Sequence, residues 1–190
     1  MRKLFFIALV SLISLSVSAQ VIYDYLKAAD AYFAKADYAS AAQYYEKYLG
    51  VGKTKIKGEE FDPYSVKSLT KQQKVAVSNK QQAIYKLAES YRYLNFPSKA
   101  APYYLQATNF DKATFPLAGY WYGKCLRALE KYELADSVLT SFISTATPTD
   151  ATYSEDAKRE LANLKFIKTE LTKNISLYTV NKSTPVVNAG

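Results

Sequence analysis

The feature that most constrains this chain is an internal repeat, in which three segments of similar sequence carry small side chains at matching places. The segments run from Tyr25 to Leu49, from Ile84 to Thr108 and from Gly119 to Ile143. The matching small residues are Ala29, Ala88 and Gly123 in the first halves, and Ala41, Ala100 and Ala135 in the second halves. A separation of 35 residues between Ala100 and Ala135 is typical of stacked supersecondary units.

Large side chains accompany the small ones at helical spacing in every copy. They are Tyr32, Tyr91 and Leu126 in the first halves, and Tyr45, Tyr104 and Leu139 in the second halves. Each segment contains two stretches with this spacing, separated by a short break with Asp, Asn, Pro or Lys. The pattern predicts three helical hairpins, over about 22–49, 81–109 and 116–145. The alternative is an irregular helical bundle in which the Ala and Tyr periodicity is accidental.

This alternation of small and large residues at a period of about 34 residues resembles the tetratricopeptide repeat. The resemblance covers residues 21 to about 171. It implies an all-α fold, a right-handed α-solenoid of about three helix-turn-helix repeats. The chain departs from the family pattern at Gly119, where a large residue is usual, and at Pro97, where an aromatic residue is usual. Ala29 and Ala88 also stand where the family has glycine.

Three further segments lie outside the repeats. Residues 154–171 carry an apolar stripe and predict a capping helix with Ser154 as its N-cap. Residues 50–80 form a basic insertion with seven lysines against three acidic residues. Its first half predicts a solvated loop, and its second half, from Pro63 onward, is compatible with an extension of the first helix of the second repeat. Such a run is usually a solvated surface, and otherwise a contact for an acidic partner or a membrane surface. The tail, 172–190, has β-branched and aromatic residues without helical spacing, so it predicts a linker or the start of a following β-domain.

The first 19 residues predict a secretory signal peptide. Arg2 and Lys3 form its basic start, residues 4–15 form an apolar core broken only by two serines, and Val17 to Ala19 form a small-residue cleavage site. The apolar run is shorter than the roughly 20 residues that a membrane span requires. We therefore expect an exported, periplasmic protein that begins at Gln20, and association with the outer membrane is compatible with this location.

The residue types present exclude much enzymology. The chain has no His, and Cys125 is its single Cys. Imidazole acid–base catalysis, Cys–His nucleophile pairs and multi-cysteine metal sites are therefore excluded. Residues 50–54, GVGKT, end like a phosphate-binding loop, but Lys47 stands where that motif requires Gly and a helix is predicted before it. We expect a non-enzyme with no cofactor, metal or nucleotide, and nucleic acid is disfavoured as the target of an exported chain.

Recognition is the class of function that remains. In tetratricopeptide arrays the first helix of each pair lines a concave groove, and the shared register assigns twelve residues to it. They are Tyr23, Leu26, Asp30, Phe33, Gln82, Tyr85, Glu89, Arg92, Tyr93, Tyr120, Lys124 and Arg127. Aromatic area beside charges suits an extended peptide or a helix of a partner protein. Stacked tyrosines also suit sugar rings, so a carbohydrate- or peptidoglycan-binding module is the competing hypothesis.

The signal peptide, the tyrosine-rich repeats and the tail together resemble one further arrangement. They are similar to the amino-terminal region of periplasmic envelope proteins in which tetratricopeptide repeats precede a β-propeller and an OmpA-like peptidoglycan-binding domain. Some of those proteins serve type IX secretion. The resemblance implies a scaffold or adaptor that binds another cell-envelope protein during outer-membrane or secretion assembly.

Overall fold

The computed structural model describes residues 22–51, 71–147 and 150–183, and the regular elements in these ranges are α-helices without a strand. The helices are α1 (22–34), α2 (Tyr38–Leu49), α3 (Lys71–Tyr93), α4 (Pro97–Ala107), α5 (Ala118–Ala128), α6 (Tyr132–Thr145) and α7 (Ala151–Ser183). The prediction of an all-α chain is confirmed over the described residues. The signal peptide and residues 52–70 of the basic insertion lie outside them.

The chain divides into two compact units, Met1–Phe115 and Pro116–Gly190. In the first unit, α3 packs against both α2 and α4. Helix α1 packs against α2 through Tyr44, whose ring contacts those of Tyr25 and Tyr32. In the second unit, α5 packs against α6, and α6 packs against α7. Within each unit, every helix therefore lies beside the next one along the chain.

Three pairs of helices, α1–α2, α3–α4 and α5–α6, are joined by the same three-residue turn. The middle residues have positive φ angles: Ala36 at 57°, Asn95 at 58° and Glu130 at 60°. The next residue donates its N–H five positions back, from Asp37 to Tyr32, from Phe96 to Tyr91 and from Lys131 to Leu126. A left-handed residue followed by this hydrogen bond is the Schellman ending of a helix. The three turns are separated by the same intervals as the small residues of the repeat.

The small residues of the repeat are buried where the helices of each hairpin meet. All five alanines of the set are completely buried: Ala29, Ala41, Ala88, Ala100 and Ala135. Gly123 is buried as well, and a Cβ placed on it would lie 2.6 Å from Cγ of Leu139. Helices α5 and α6 therefore approach too closely at this point for an alanine to fit without movement.

Two helices extend beyond the segments that the repeat pattern marks. Helix α7 begins at Ala151, so Ser154 lies inside it rather than at its N-cap, and the helix continues to Ser183. Residues 172–183 are therefore helical and not the strand that their β-branched residues favour, and residues 184–190 of the predicted linker lie outside the described ranges. No Gly or Pro occurs between Ala151 and Ser183, and extending a helix costs far less than starting one. Helix α3 begins at Lys71, so the last ten residues of the predicted insertion are helical.

Candidate functional site

Four side chains at one end of the first unit form a connected surface that we call the aromatic ladder: Phe33, Tyr38, Tyr93 and Arg92. Phe33 contacts Tyr38 edge to face, with ring centroids 5.5 Å apart. Tyr38 stacks on Tyr93 at 4.2 Å, with the rings inclined by 11°. The Arg92 guanidinium lies 4.1 Å from the Tyr93 ring centroid. The ladder thus joins α1, α2 and α3, and Tyr93 remains 51% exposed.

The acidic residues beside the ladder are already hydrogen-bonded within the unit. Asp30 accepts hydrogen bonds from the Tyr45 hydroxyl and from Nζ of Lys86, each at 2.7 Å. Glu89 accepts hydrogen bonds from the Tyr104 hydroxyl and from Arg92. Each of the two predicted acids therefore binds a tyrosine of the following helix, α2 or α4.

Burial and these hydrogen bonds raise the pKa values of the two tyrosines. Burial is the largest cause that raises the pKa of Tyr45, and the hydrogen bond to Asp30 adds to it. Burial and the charge of Glu89 likewise raise the pKa of Tyr104 above its usual range. Both hydroxyls therefore stay protonated and act as donors that hold the hairpins together.

The other predicted residues of the first unit are spread over α1 and α3. Leu26 is buried in the core, and Tyr85 packs against Tyr104 and Phe115. Tyr23 and Gln82 are exposed, but each precedes the ladder residue of its own helix by ten or eleven positions. At 1.5 Å per residue, that is about 15 Å along the helix axis. The structure therefore brings together Phe33, Arg92 and Tyr93, and it leaves Tyr23 and Gln82 apart from them.

In the second unit, the three predicted residues of α5 form polar contacts with helix α7. The Tyr120 hydroxyl donates a hydrogen bond to Asp156, and Tyr120 is only 4% exposed. Lys124 forms ion pairs with both Asp156 and Glu160. Nε of Arg127 lies 2.9 Å from Oε2 of Glu160. The hydrogen bond from Tyr120 is the largest cause that lowers the pKa of Asp156, so α7 presents the ionised carboxylate of Asp156 to α5.

Four residues of these two clusters were outside the sequence prediction: Tyr38, Lys86, Asp156 and Glu160. The sequence prediction assigned groove residues only to the first helix of each hairpin. It therefore omitted Tyr38, which begins the second helix of its hairpin, α2. Asp156 and Glu160 carried a signal, because they stand four residues apart and therefore share one face of a predicted helix, as Lys124 and Arg127 do at a separation of three residues on α5. Nothing local indicated that Lys86 binds Asp30, which lies 56 residues earlier.

Metal-ligand clusters and membrane-spanning helices are both lacking among the described residues. Among them, no group of three or more Cys, Asp and Glu side chains is placed to hold a metal ion. No helix in the same ranges is long and apolar enough to cross a membrane. The helix expected before the GVGKT segment is confirmed, because α2 ends at Leu49 and Gly50 has a φ of 69°. Residues 52–54 of that segment lie outside the described ranges.

No protein-family model matches the chain, and no curated protein matches it either. Its function is therefore inferred from the fold and from the chemistry of these two clusters.

Proposed function

We propose that this protein is a non-catalytic scaffold of the tetratricopeptide-repeat type. The observation that carries the proposal is the triple occurrence of one turn, with positive φ at Ala36, Asn95 and Glu130. These three positions are separated by the same sequence intervals as the buried small residues, so each hairpin is a copy of one structural unit. Repeated helical hairpins present extended binding surfaces by stacking. On this proposal the hairpins form a right-handed solenoid, and α7 caps it.

The binding surface is the aromatic ladder of the first unit. Tyr93 combines an exposed ring with a position held by Tyr38 and Arg92, so little conformational freedom is lost when a ligand contacts it. Rigid tyrosine and arginine side chains are the residue types that contribute most binding energy at protein interfaces. In the second unit Ala128 stands at the position that matches Tyr93, so the exposed ring of the ladder belongs to the first unit, and we place the recognition there.

A segment of another cell-envelope protein is the ligand that this surface suits best. A carbohydrate site would need several open aromatic faces, and the predicted tyrosines offer few of them. Tyr85 is packed against two rings, and Tyr120 is buried. An extended peptide or a short helix needs only one aromatic anchor with charged neighbours, which Tyr93, Arg92 and Lys86 supply.

The proposal includes export to the periplasm, where the scaffold would act in outer-membrane or type IX secretion assembly. Cleavage after Ala19 would leave a chain that begins at Gln20. Intact mass of the protein recovered from the periplasm tests this part. A recovered protein that retains residues 1–19 would contradict it, whatever the ladder binds.

The ladder is tested by site-specific photo-crosslinking in cells that express the full chain. A photoreactive side chain replaces Tyr93 in one variant and Leu105 in the other. Leu105 is 47% exposed and lies near the far end of α4, so it is a matched control outside the ladder. We expect one envelope protein to be crosslinked from position 93 and absent from position 105.

Affinity measurements with that purified partner complete the test. Tyr93→Ala should weaken binding at least tenfold, while Leu105→Ala leaves it unchanged. Thermal unfolding of both variants checks that the fold is retained. Equal affinities of the two variants would show that the partner binds elsewhere.

A further inference from the structure

Helix α7 has an exposed face directly opposite the face that packs in the second unit. Ala157 and Leu164 are completely buried in the core of that unit. Ala162 and Phe166 lie two residues on either side of Leu164, which places them about 160° around the helix axis from it. Phe166 is 67% exposed, the largest exposed fraction among the large apolar side chains of the described residues.

Two ion pairs flank this apolar centre on the same exposed side. Glu155 pairs with Lys158 at 2.7 Å, and Glu170 pairs with Lys173 at 2.7 Å. All four side chains are between 41% and 63% exposed. Along the helix, the order of these pairs and the apolar centre is therefore acid, base, apolar centre, acid, base. Arg159 also lies on this side and is 70% exposed, and an antiparallel copy would place it opposite the uncharged Thr169.

This order is complementary to itself when a second copy of the helix runs in the opposite direction. Three pairs of positions share one midpoint at residue 164: 155 with 173, 158 with 170, and 162 with 166. An antiparallel copy would thus place Glu155 opposite Lys173, Lys158 opposite Glu170, and Ala162 opposite Phe166. A parallel copy would place each charge opposite its own like. The charge pattern therefore specifies the antiparallel arrangement.

We propose that two copies of this chain associate through the exposed face of α7, antiparallel and about a two-fold axis at the level of residue 164. Each Phe166 ring packs onto Ala162 of the other copy, where a small side chain leaves room for it. A two-fold axis makes every contact occur twice, so each charge finds a partner at both ends. The face from Glu155 to Lys173 is about 27 Å long, which suits a weak dimer whose population rises with protein concentration.

Charge-reversal variants of the mature chain test both the surface and its direction. The first variant combines Glu155→Lys with Lys158→Glu, and the second combines Glu170→Lys with Lys173→Glu. Each variant retains its ion pair within the helix and the net charge of the chain. Across the two-fold axis, however, each one places like charges opposite each other.

Sedimentation equilibrium over a concentration series gives the dissociation constants. We expect the wild type to dimerise and each variant alone to dimerise at least tenfold more weakly. An equimolar mixture of the two variants should recover wild-type affinity, because every facing pair is then of opposite charge. A chain that carries all four substitutions should recover it as well.

The apolar centre is tested with Phe166→Ala, and Leu105→Ala in the first unit is its matched control. The first substitution should weaken the dimer at least tenfold, and the second should leave it unchanged. Circular dichroism shows whether each variant keeps its helical content. A wild type that remains monomeric at every concentration would overturn the proposal. A dimer that neither charge variant weakens, or that mixing fails to restore, would overturn it too.

Discussion

The hairpins α3–α4 and α5–α6 have the same turn but different packing where their helices cross. In α3–α4, buried Ala88 precedes Glu89, which accepts a hydrogen bond from the Tyr104 hydroxyl of the second helix. In α5–α6, the matching residues are Gly123, Lys124 and Leu139. Leu139 lies against Gly123, and Lys124 pairs with Glu160 of α7 instead. Three matched positions have therefore changed together.

The difference teaches that each large residue imposes its own requirements on its neighbours. A buried tyrosine needs an acceptor for its hydroxyl, and an acid next to the small residue provides one. Hairpin α1–α2 follows the same rule, because Tyr45 donates to Asp30, the residue after Ala29. Leu139 has no hydroxyl that needs an acceptor. Its side chain branches at Cγ, close to its own backbone, and therefore requires glycine at position 123 of the facing helix. The residue after that glycine, Lys124, has no tyrosine hydroxyl to accept from α6, and it pairs with Glu160 of α7.

The largest effect expected from this comparison appears in alkaline solution. Burial and hydrogen bonds to carboxylates raise the pKa values of Tyr45, Tyr91 and Tyr104 above the ordinary value of 10.0. The folded protein therefore holds these protons more tightly than the unfolded chain does. Their stabilisation is complete below pH 10 and is lost as the pH rises from there towards the folded pKa values.

Urea unfolding at a series of pH values measures this loss. The wild type should lose stability steeply above about pH 10, and a variant with all three tyrosines replaced by Phe should lose it less steeply. Tyr23→Phe, at an exposed position, serves as the control and should follow the wild type. Identical slopes for all three proteins would show that the buried hydroxyls are not responsible.

The second effect concerns Tyr104→Leu. This change gives the first unit the residue that the second unit has at the matching position, Leu139. This change removes the hydroxyl donor of Glu89, which is 9% exposed, and it also leaves unfilled volume. We expect a loss of about 2–4 kcal/mol in the free energy of unfolding. Tyr104→Phe isolates the hydroxyl and should cost about 1.5–3 kcal/mol. If Tyr104→Phe is as stable as the wild type in urea, the hydrogen bond from the buried hydroxyl to Glu89 does not stabilise the hairpin.

The third effect tests whether Leu139 requires glycine at the facing position, by comparing two glycines of helix α5. Gly123→Ala forces a Cβ to within 2.6 Å of Leu139 and should destabilise the protein by about 1–3 kcal/mol. A Cβ on Gly119 would meet Phe142 at 3.7 Å, an ordinary contact. Gly119→Ala should therefore stabilise the helix by about 0.5–1 kcal/mol. Changes of the same sign in thermal unfolding would contradict the close approach of α5 and α6.

The smallest effect concerns the turn that the hairpins share. Glu130 adopts a φ of 60°, a conformation that costs less for glycine than for other residues. Glu130→Gly should therefore stabilise the protein by about 0.5–1 kcal/mol. Ala128→Gly, at the last residue of α5, should destabilise it by about 0.5 kcal/mol. Calorimetry of the two variants distinguishes a left-handed turn from a continuous helix, for which both changes would be unfavourable.

The sequence by itself determined the helices of the three hairpins and the small residues buried between them. Ala29, Ala88 and Gly123 were identified from spacing alone, because helical periodicity depends on residues within two or three turns of each other. The same information predicted an all-α chain. It failed at the end of α7, where the β-branched residues of 172–183 favour a strand locally but follow a helix that is already packed.

Only the tertiary structure decided which charged and aromatic residues remain accessible. Lys124 and Arg127 have the same local pattern as an unpaired basic pair, but Glu160, which lies more than thirty residues later, forms ion pairs with both. Tyr38 meets Tyr93 across 55 residues, and Tyr45 is buried while the neighbouring Tyr44 is not. Helical spacing places a side chain on a face of its own helix. Which helix then packs on that face depends on contacts between distant parts of the chain, and no local pattern records them.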